Sequence, residues 1–233
     1  MILRPIFTVM QIAPDQRQNG PVPFLSNIGG PIGFLQGELE WRLFDFCRIH
    51  QIVYKEINNI EVYLDKIDIE PLTNNKDDLE NINKVRKMDY IVGQVHENER
   101  VTNFVDQMTV VGLWAIAEQF LGKIYKAFLS KKNEIPELNI QAPYRWDDFN
   151  REYNNLGIDL TTCENYQNAD ECRVLNNSIK HSPAVSSRLL QFAYFTKYSG
   201  QDIEKVPLEM QRYLNGVSDF LGSLIEKVNK SLA

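Results

Sequence analysis

The sequence predicts an all-α protein, a helical bundle preceded by an irregular N-terminal arm. Three observations carry that expectation. Apolar residues recur at steps of three and four through most of residues 34–231, the period of amphipathic helices. Proline and glycine concentrate before residue 34 and in short connectors between the periodic segments. No repeat, low-complexity tract or strand–helix alternation interrupts the pattern.

Residues 1–33 read as an extended arm. Ile6 to Ile12 suits a short strand, and Pro21, Pro23, Gly29, Gly30, Pro31 and Gly33 forbid a regular helix. The run from Gly29 to Gly33 lacks a following Lys-Ser/Thr and is no phosphate loop. Residues 34–233 read as a single helical domain. Leu39, Leu43, Phe46, Ile49, Val53, Ile57, Ile60, Leu64 and Ile67 mark the core face of a long first helix. Ile69 to Lys76, with Pro71 and Asn74-Asn75, is a loop, and Asp77-Asp78 suits the dipole at the start of a second helix. Ile82, Val85, Met88, Val92 and Val95 give that helix its expected core face, with a break or polar patch at Glu97 to Arg100.

Val101 to Leu129 is strongly helical and, from Met108, apolar on most sides, as a central bundle helix is. Ile135 to Arg145 is a connector. A helix from Trp146 to Asn155 ends before Gly157, a suitable C-terminal glycine. Another follows from about Asn168 to Lys180, stopped by Ser182-Pro183, and Ala184 to Tyr198 reads as a further helix. In the last helix, about Pro207 to Ser231, Met210, Leu214, Val217, Leu221, Leu224 and Val228 form a heptad-like seam.

The 233 residues, 43% hydrophobic and 24% charged, suit an ordinary globular core. A net charge of −6 argues against non-specific coating of nucleic acid, which needs clustered Lys and Arg, but leaves room for a local basic site. Cys47, Cys163 and Cys172 lack the spacing of a disulfide framework or zinc site, and a reducing cytoplasm is the natural setting. There is no signal peptide pattern and no apolar run long enough to span a membrane, so a soluble protein is expected.

One stretch carries chemistry. Arg173, Asn177 and His181 stand four apart, so on a helix they form one stripe opposite Cys172, Leu175 and Ile179. A cation, an amide and an imidazole are thereby presented together. Complementing the helix dipole accounts for Lys180 and His181 at the C-terminal end, but not for Arg173 and Asn177. Glu118 lies among Trp114, Ala115, Ile116, Ala117, Phe120 and Leu121 with no cation three or four residues away. A carboxylate buried there would need a cation from another helix, with Arg173 the candidate, whereas one at the helix edge would not. His50, His96 and His181 lack ligand-spaced neighbours, so neither metal nor cofactor is expected. No Ser-His-Asp arrangement is present, and Lys123, Lys126, Lys131 and Lys132 suit a solvated face or an RNA contact.

Three segments resemble the HEPN superfamily of helical proteins: Leu113 to Leu121, Tyr153 to Leu160, and Arg173 to His181. Together they place a HEPN-like core at about residues 100–231, leaving the arm and the first half outside it. Many members resemble metal-independent endoribonucleases of toxin–antitoxin, phage-defence and CRISPR-associated systems. Their motif is an arginine, a polar residue directly after it, and a histidine. Asn177 matches the polar position and His181 the histidine, while Asn176 stands where the arginine is expected and Arg173 lies one helical turn earlier. The resemblance implies RNA cleavage through a cyclic phosphate. His181 would be the proton-transfer group, Arg173 or Lys180 would stabilise charge on phosphorus, and Asn177 would orient. It also implies a homodimer with facing motifs, RNA as ligand and a small antitoxin as partner. The C-terminal seam adds to the expectation of self-association. The alternative is a non-catalytic helical factor, immune or regulatory, that binds another protein.

Overall fold

A computed structural model describes residues 29–68, 79–182 and 184–233. The expected N-terminal strand, most of the arm and the loop after residue 68 lie outside the described residues. Five α-helices account for the architecture: α1 (Phe34–Asp65), α2 (Leu79–Asn133), α3 (Trp146–Asn155), α4 (Tyr166–His181) and α5 (Met210–Leu232). Among the described residues no strand forms beyond one isolated antiparallel bridge, Ala184 with Asp202. The all-α prediction is correct.

The organising element is α2, whose 55 residues extend roughly 80 Å at 1.5 Å per residue. It runs unbroken through Glu97 to Arg100, where a break or a polar patch was expected, so the segment is a polar patch within the helix. Its C-terminal half is the centre of the body, packed by α4 and α5, while α1 runs along it. Trp114, Phe120, Phe128, Tyr153, Phe195, Tyr213 and Phe220 are all but fully buried there. Such aromatic burial dominates the stability of a core of this kind. Tyr153 ties α3 to α2 by donating its hydroxyl to the Leu121 carbonyl at 2.8 Å.

The entry to α1 is fixed from the other end of the chain. Gly30 has φ +113°, and a Cβ there would lie 2.6 Å from the Asn229 side chain. Asn229 in α5 accepts from the Ile32 N–H at 2.9 Å and donates to the Gly29 carbonyl at 3.2 Å. Glycine alone combines that positive φ with the close approach.

The hairpin of α1 and the first half of α2 corrects two expectations. The buried seam of α1 is Leu39, Leu43, Cys47, His50, Tyr54, Ile57 and Leu64, whereas Ile49 and Ile60 are exposed. On α2, Ile82, Val85, Met88 and Val92 face solvent, and Asn81, Asn98, Thr102, Asp106 and Thr109 are buried instead. Polar groups mate across this seam: Tyr54 donates to Asp106, and Asn98 approaches the Ile57 carbonyl at 3.5 Å. Each helix carries apolar residues on two faces, and periodicity does not tell which face turns inward.

Residues 184–198, expected to be helical, instead form short 3₁₀ turns, Leu189–Gln191 and Ala193–Tyr198. Val185 N–H bonds the Gln201 carbonyl at 2.8 Å, which holds this segment extended at its start. Leu189 and Phe195 then insert into the core as single plugs, an arrangement a continuous helix would not allow. The C-terminal seam from Met210 to Val228 is also reassigned. Its residues are buried within the chain's own body, so it offers no surface for self-association. On the flank of that seam, Gly216 permits close approach of α5 to α4, since a Cβ would sit 2.9 Å from the Ala169 backbone nitrogen.

Candidate functional site

The predicted stripe faces a cleft. On α4, Cys172 and Leu175 are fully buried and Ile179 packs against the core, while Asn177 and His181 are exposed and Arg173 half-buried. A cavity of about 790 Å³ opens over this face, and Arg173, Asn177 and His181 line it. Glu118 and Trp114 contribute the wall from α2. Tyr144, Arg145, Trp146 and Asp147 close it where the connector enters α3, and Arg188 and Gln191 close it after α4. Three stretches distant in sequence, about 114–118, 144–147 and 173–191, thus meet at the residues singled out by spacing alone.

Aromatic rings hold the cationic side in place. The Arg173 guanidinium lies 5.0 Å from the centre of the Trp146 ring, and its Nε donates to Asp170 at 2.7 Å. Trp146 in turn meets Trp114 edge-on at 5.7 Å and stacks with Tyr166. Arg145 sits over the Tyr144 ring at 5.4 Å. A guanidinium stacked in this way loses little further freedom on meeting an anion.

Glu118 is exposed at the cleft edge, and its Oε1 accepts from the Trp114 indole N–H at 2.9 Å. It makes no ion pair with Arg173, whose partner is Asp170. The expected pairing is therefore corrected: an edge carboxylate needs no buried cation. Lys180 does not line this cleft. It lines a neighbouring one of about 400 Å³ beside Asp202 and Glu204, with His181 at the wall between the two. Asn176, at the position where the HEPN motif carries arginine, is 1% exposed and donates to the Asn177 side chain at 3.2 Å.

The cleft lining holds three guanidinium groups, Arg145, Arg173 and Arg188, against the carboxylates of Glu118 and Asp147. Arg145, Trp146 and Arg188 escaped the sequence reading because they lie, respectively, in a connector, at a helix start and in a segment expected to be helical. Only the Arg145-Trp146 pair, a cation beside an aromatic, offered a local signal. Elsewhere, burial pushes the Cys163 thiol up to about 11 and the Cys172 thiol further still, so both are poor nucleophiles. Lys123 pairs with Glu38 of α1, and Lys132 lies over Phe128 at 5.5 Å. Among the described residues no group of three or more His, Cys, Asp or Glu side chains is placed to hold a metal ion. No helix among them is long and apolar enough to cross a membrane.

No protein-family model matches the chain, and neither does any curated protein or solved structure. What the cleft can do therefore rests on its own chemistry. It combines guanidinium cations, aromatic rings, an imidazole and carboxylates.

Proposed function

We propose that this cleft binds single-stranded RNA and cleaves it without a metal ion, in the manner the HEPN resemblance implies. The observation that carries the reading is the meeting of Arg145, Arg173, Arg188, Glu118, Asn177 and His181 around one cavity. Arginine forks suit phosphate oxygens, and exposed rings such as Tyr144 suit unstacked bases. In the reaction, the 2′-hydroxyl attacks the adjacent phosphorus and the 5′-oxygen leaves, giving a 2′,3′-cyclic phosphate. Glu118 accepts the 2′-hydroxyl proton and the His181 imidazolium returns one to the departing 5′-oxygen. An imidazole suits that role because its ring nitrogens can both donate and accept a proton. The guanidinium groups, Arg173 among them, stabilise the extra negative charge on phosphorus, a part the resemblance gives to Arg173 or Lys180. Asn177 orients the phosphate. In a toxin–antitoxin or phage-defence setting, such an activity arrests growth until a small antitoxin covers the cleft.

The decisive experiment incubates the full chain with labelled single-stranded RNA in excess EDTA. Cleavage leaving a cyclic phosphate, lost in His181→Ala and strongly reduced in Glu118→Gln, is the expected result. Cleavage that depends on an added divalent ion, or that persists in His181→Ala, overturns the mechanism. A second reading has its own support. The acidic net charge and the exposed apolar side chains on α1 and α2 suit a non-catalytic factor that binds another protein. Wild-type protein that neither cleaves nor binds RNA leaves that reading in place.

A further inference from the structure

The first half of α2 has an outward face that the body leaves uncovered. Asn98, Thr102 and Asp106 mark the side turned toward α1. On the opposite side, Leu79, Ile82, Tyr90, Val101 and Phe104 are exposed, Leu79 by 71% and Phe104 by 61%. With Arg86, Gly93 and Glu97 they recur at steps of three, four and four residues. An eleven-residue period of this kind runs about 3.67 residues per turn, close enough to the α-helix that the stripe stays nearly straight.

The stripe has the same chemistry read from either end. Pairing it with its own reverse about a point between Ile91 and Val92 sets Leu79 against Phe104 and Ile82 against Val101. The same register sets Arg86 against Glu97 and Tyr90 against Gly93. Apolar positions meet apolar ones, opposite charges face each other, and the bulkiest ring meets the smallest residue. A Cβ at Gly93 would meet nothing within 4 Å, so packing among the described residues gives no reason for a glycine there. Glycine in a helix interior is otherwise disfavoured.

We infer that this face docks a second copy of the chain, α2 against α2, antiparallel about a two-fold axis between Ile91 and Val92. An isologous contact needs a self-complementary patch, and the Arg86–Glu97 pair, occurring twice, sets the register. The arrangement puts the two bodies at opposite ends. Trp114 and Glu118 then lie roughly 70–80 Å along the axis from their counterparts, at 1.5 Å per residue. Each cleft acts alone, unlike the facing motifs the HEPN resemblance implies. The inference does not depend on what the cleft does.

The test is sedimentation equilibrium on the full chain, with circular dichroism as the check on folding. Wild type is expected to be a dimer at tens of micromolar. Arg86→Glu and Glu97→Arg should each raise the dissociation constant on the order of tenfold or more, because like charges then face each other twice. An equimolar mixture of the two variants should recover the dimer, since both facing positions again carry opposite charges. Gly93→Phe should also dissociate it without loss of helicity, since among the described residues nothing lies within 4 Å of a Cβ at that position. A monomeric wild type, single variants that stay dimeric, loss of helicity in either charge variant, or a mixture that does not reassociate each overturns the inference.

Discussion

Arg173 lies over Trp146, with its guanidinium carbon 5.0 Å from the ring centre. The contact joins α4 to the start of α3 and sets the geometry of the cleft's cationic wall. Arg173→Ala removes the cation–π contact and leaves Asp170 without its partner, at a cost of about 1–2 kcal/mol. Arg173→Lys keeps the charge but not the planar stack or the fork. Binding of a labelled oligoribonucleotide is expected to weaken in both variants, and more in alanine. Equal binding by wild type and Arg173→Ala would remove the arginine from the site.

His181 and Asn176, five residues apart on one helix, should respond in opposite ways. His181 is exposed at the cleft wall, so His181→Ala should leave stability within about 0.5 kcal/mol of wild type while abolishing cleavage. Asn176 is buried, so Asn176→Arg, which would bring the chain closer to the motif it resembles, drives a guanidinium into the core. A loss on the order of 3 kcal/mol or more is expected, with no gain in activity. Thermal melts and RNA cleavage on the two variants check both statements. A stable, more active Asn176→Arg protein would contradict the buried placement.

A buried polar junction between α4 and α5 lies away from the cleft. Glu171, 4% exposed, takes two bonds from the Arg212 guanidinium, at 2.9 and 2.5 Å, and a third from the Tyr213 hydroxyl at 2.8 Å. Burial, and next to it the Glu171 carboxylate, push the Tyr213 hydroxyl well up, which keeps its proton available to donate. Arg212→Ala strands a buried carboxylate between α4 and α5 and should cost about 3–5 kcal/mol. Glu171→Gln with Arg212→Met should cost less than Arg212→Ala alone, because no isolated charge remains buried. Urea denaturation of the three proteins measures that order.

Much of this architecture is legible in the residues, and the misreadings have a common cause. The bounds of α3 and the polar stripe of α4 follow from local patterns: Gly157 after α3, and Cys172, Leu175 and Ile179 opposite Asn177 and His181. The inward faces of α1 and α2 do not, because Ile49 and Ile82 recur as regularly as Tyr54 and Asn98. Tertiary pairing, here a polar seam centred on Tyr54 and Asp106, decides between them. The cleft follows the same division. His181 and Asn177 were visible from spacing, while Arg145 and Arg188 come from segments whose positions only the packed body fixes.

His50 gives the α1–α2 seam a pH dependence with a definite sign. It is buried and stacked on Tyr54 at 4.0 Å, and burial lowers its pKa to about 4, against an ordinary value of 6.5. Between those values the unfolded chain binds a proton that the folded chain does not. This contribution to stability is therefore fully present above pH 6.5 and falls away as the pH drops toward 4. Melting temperature should decline over that interval more steeply for wild type than for His50→Gln, which has no proton to take up. Above pH 7 the two proteins should show parallel behaviour, whatever fixed offset the substitution introduces. Equal slopes between pH 6.5 and 4 would mean that His50 takes up its proton in the folded chain as readily as in the unfolded one.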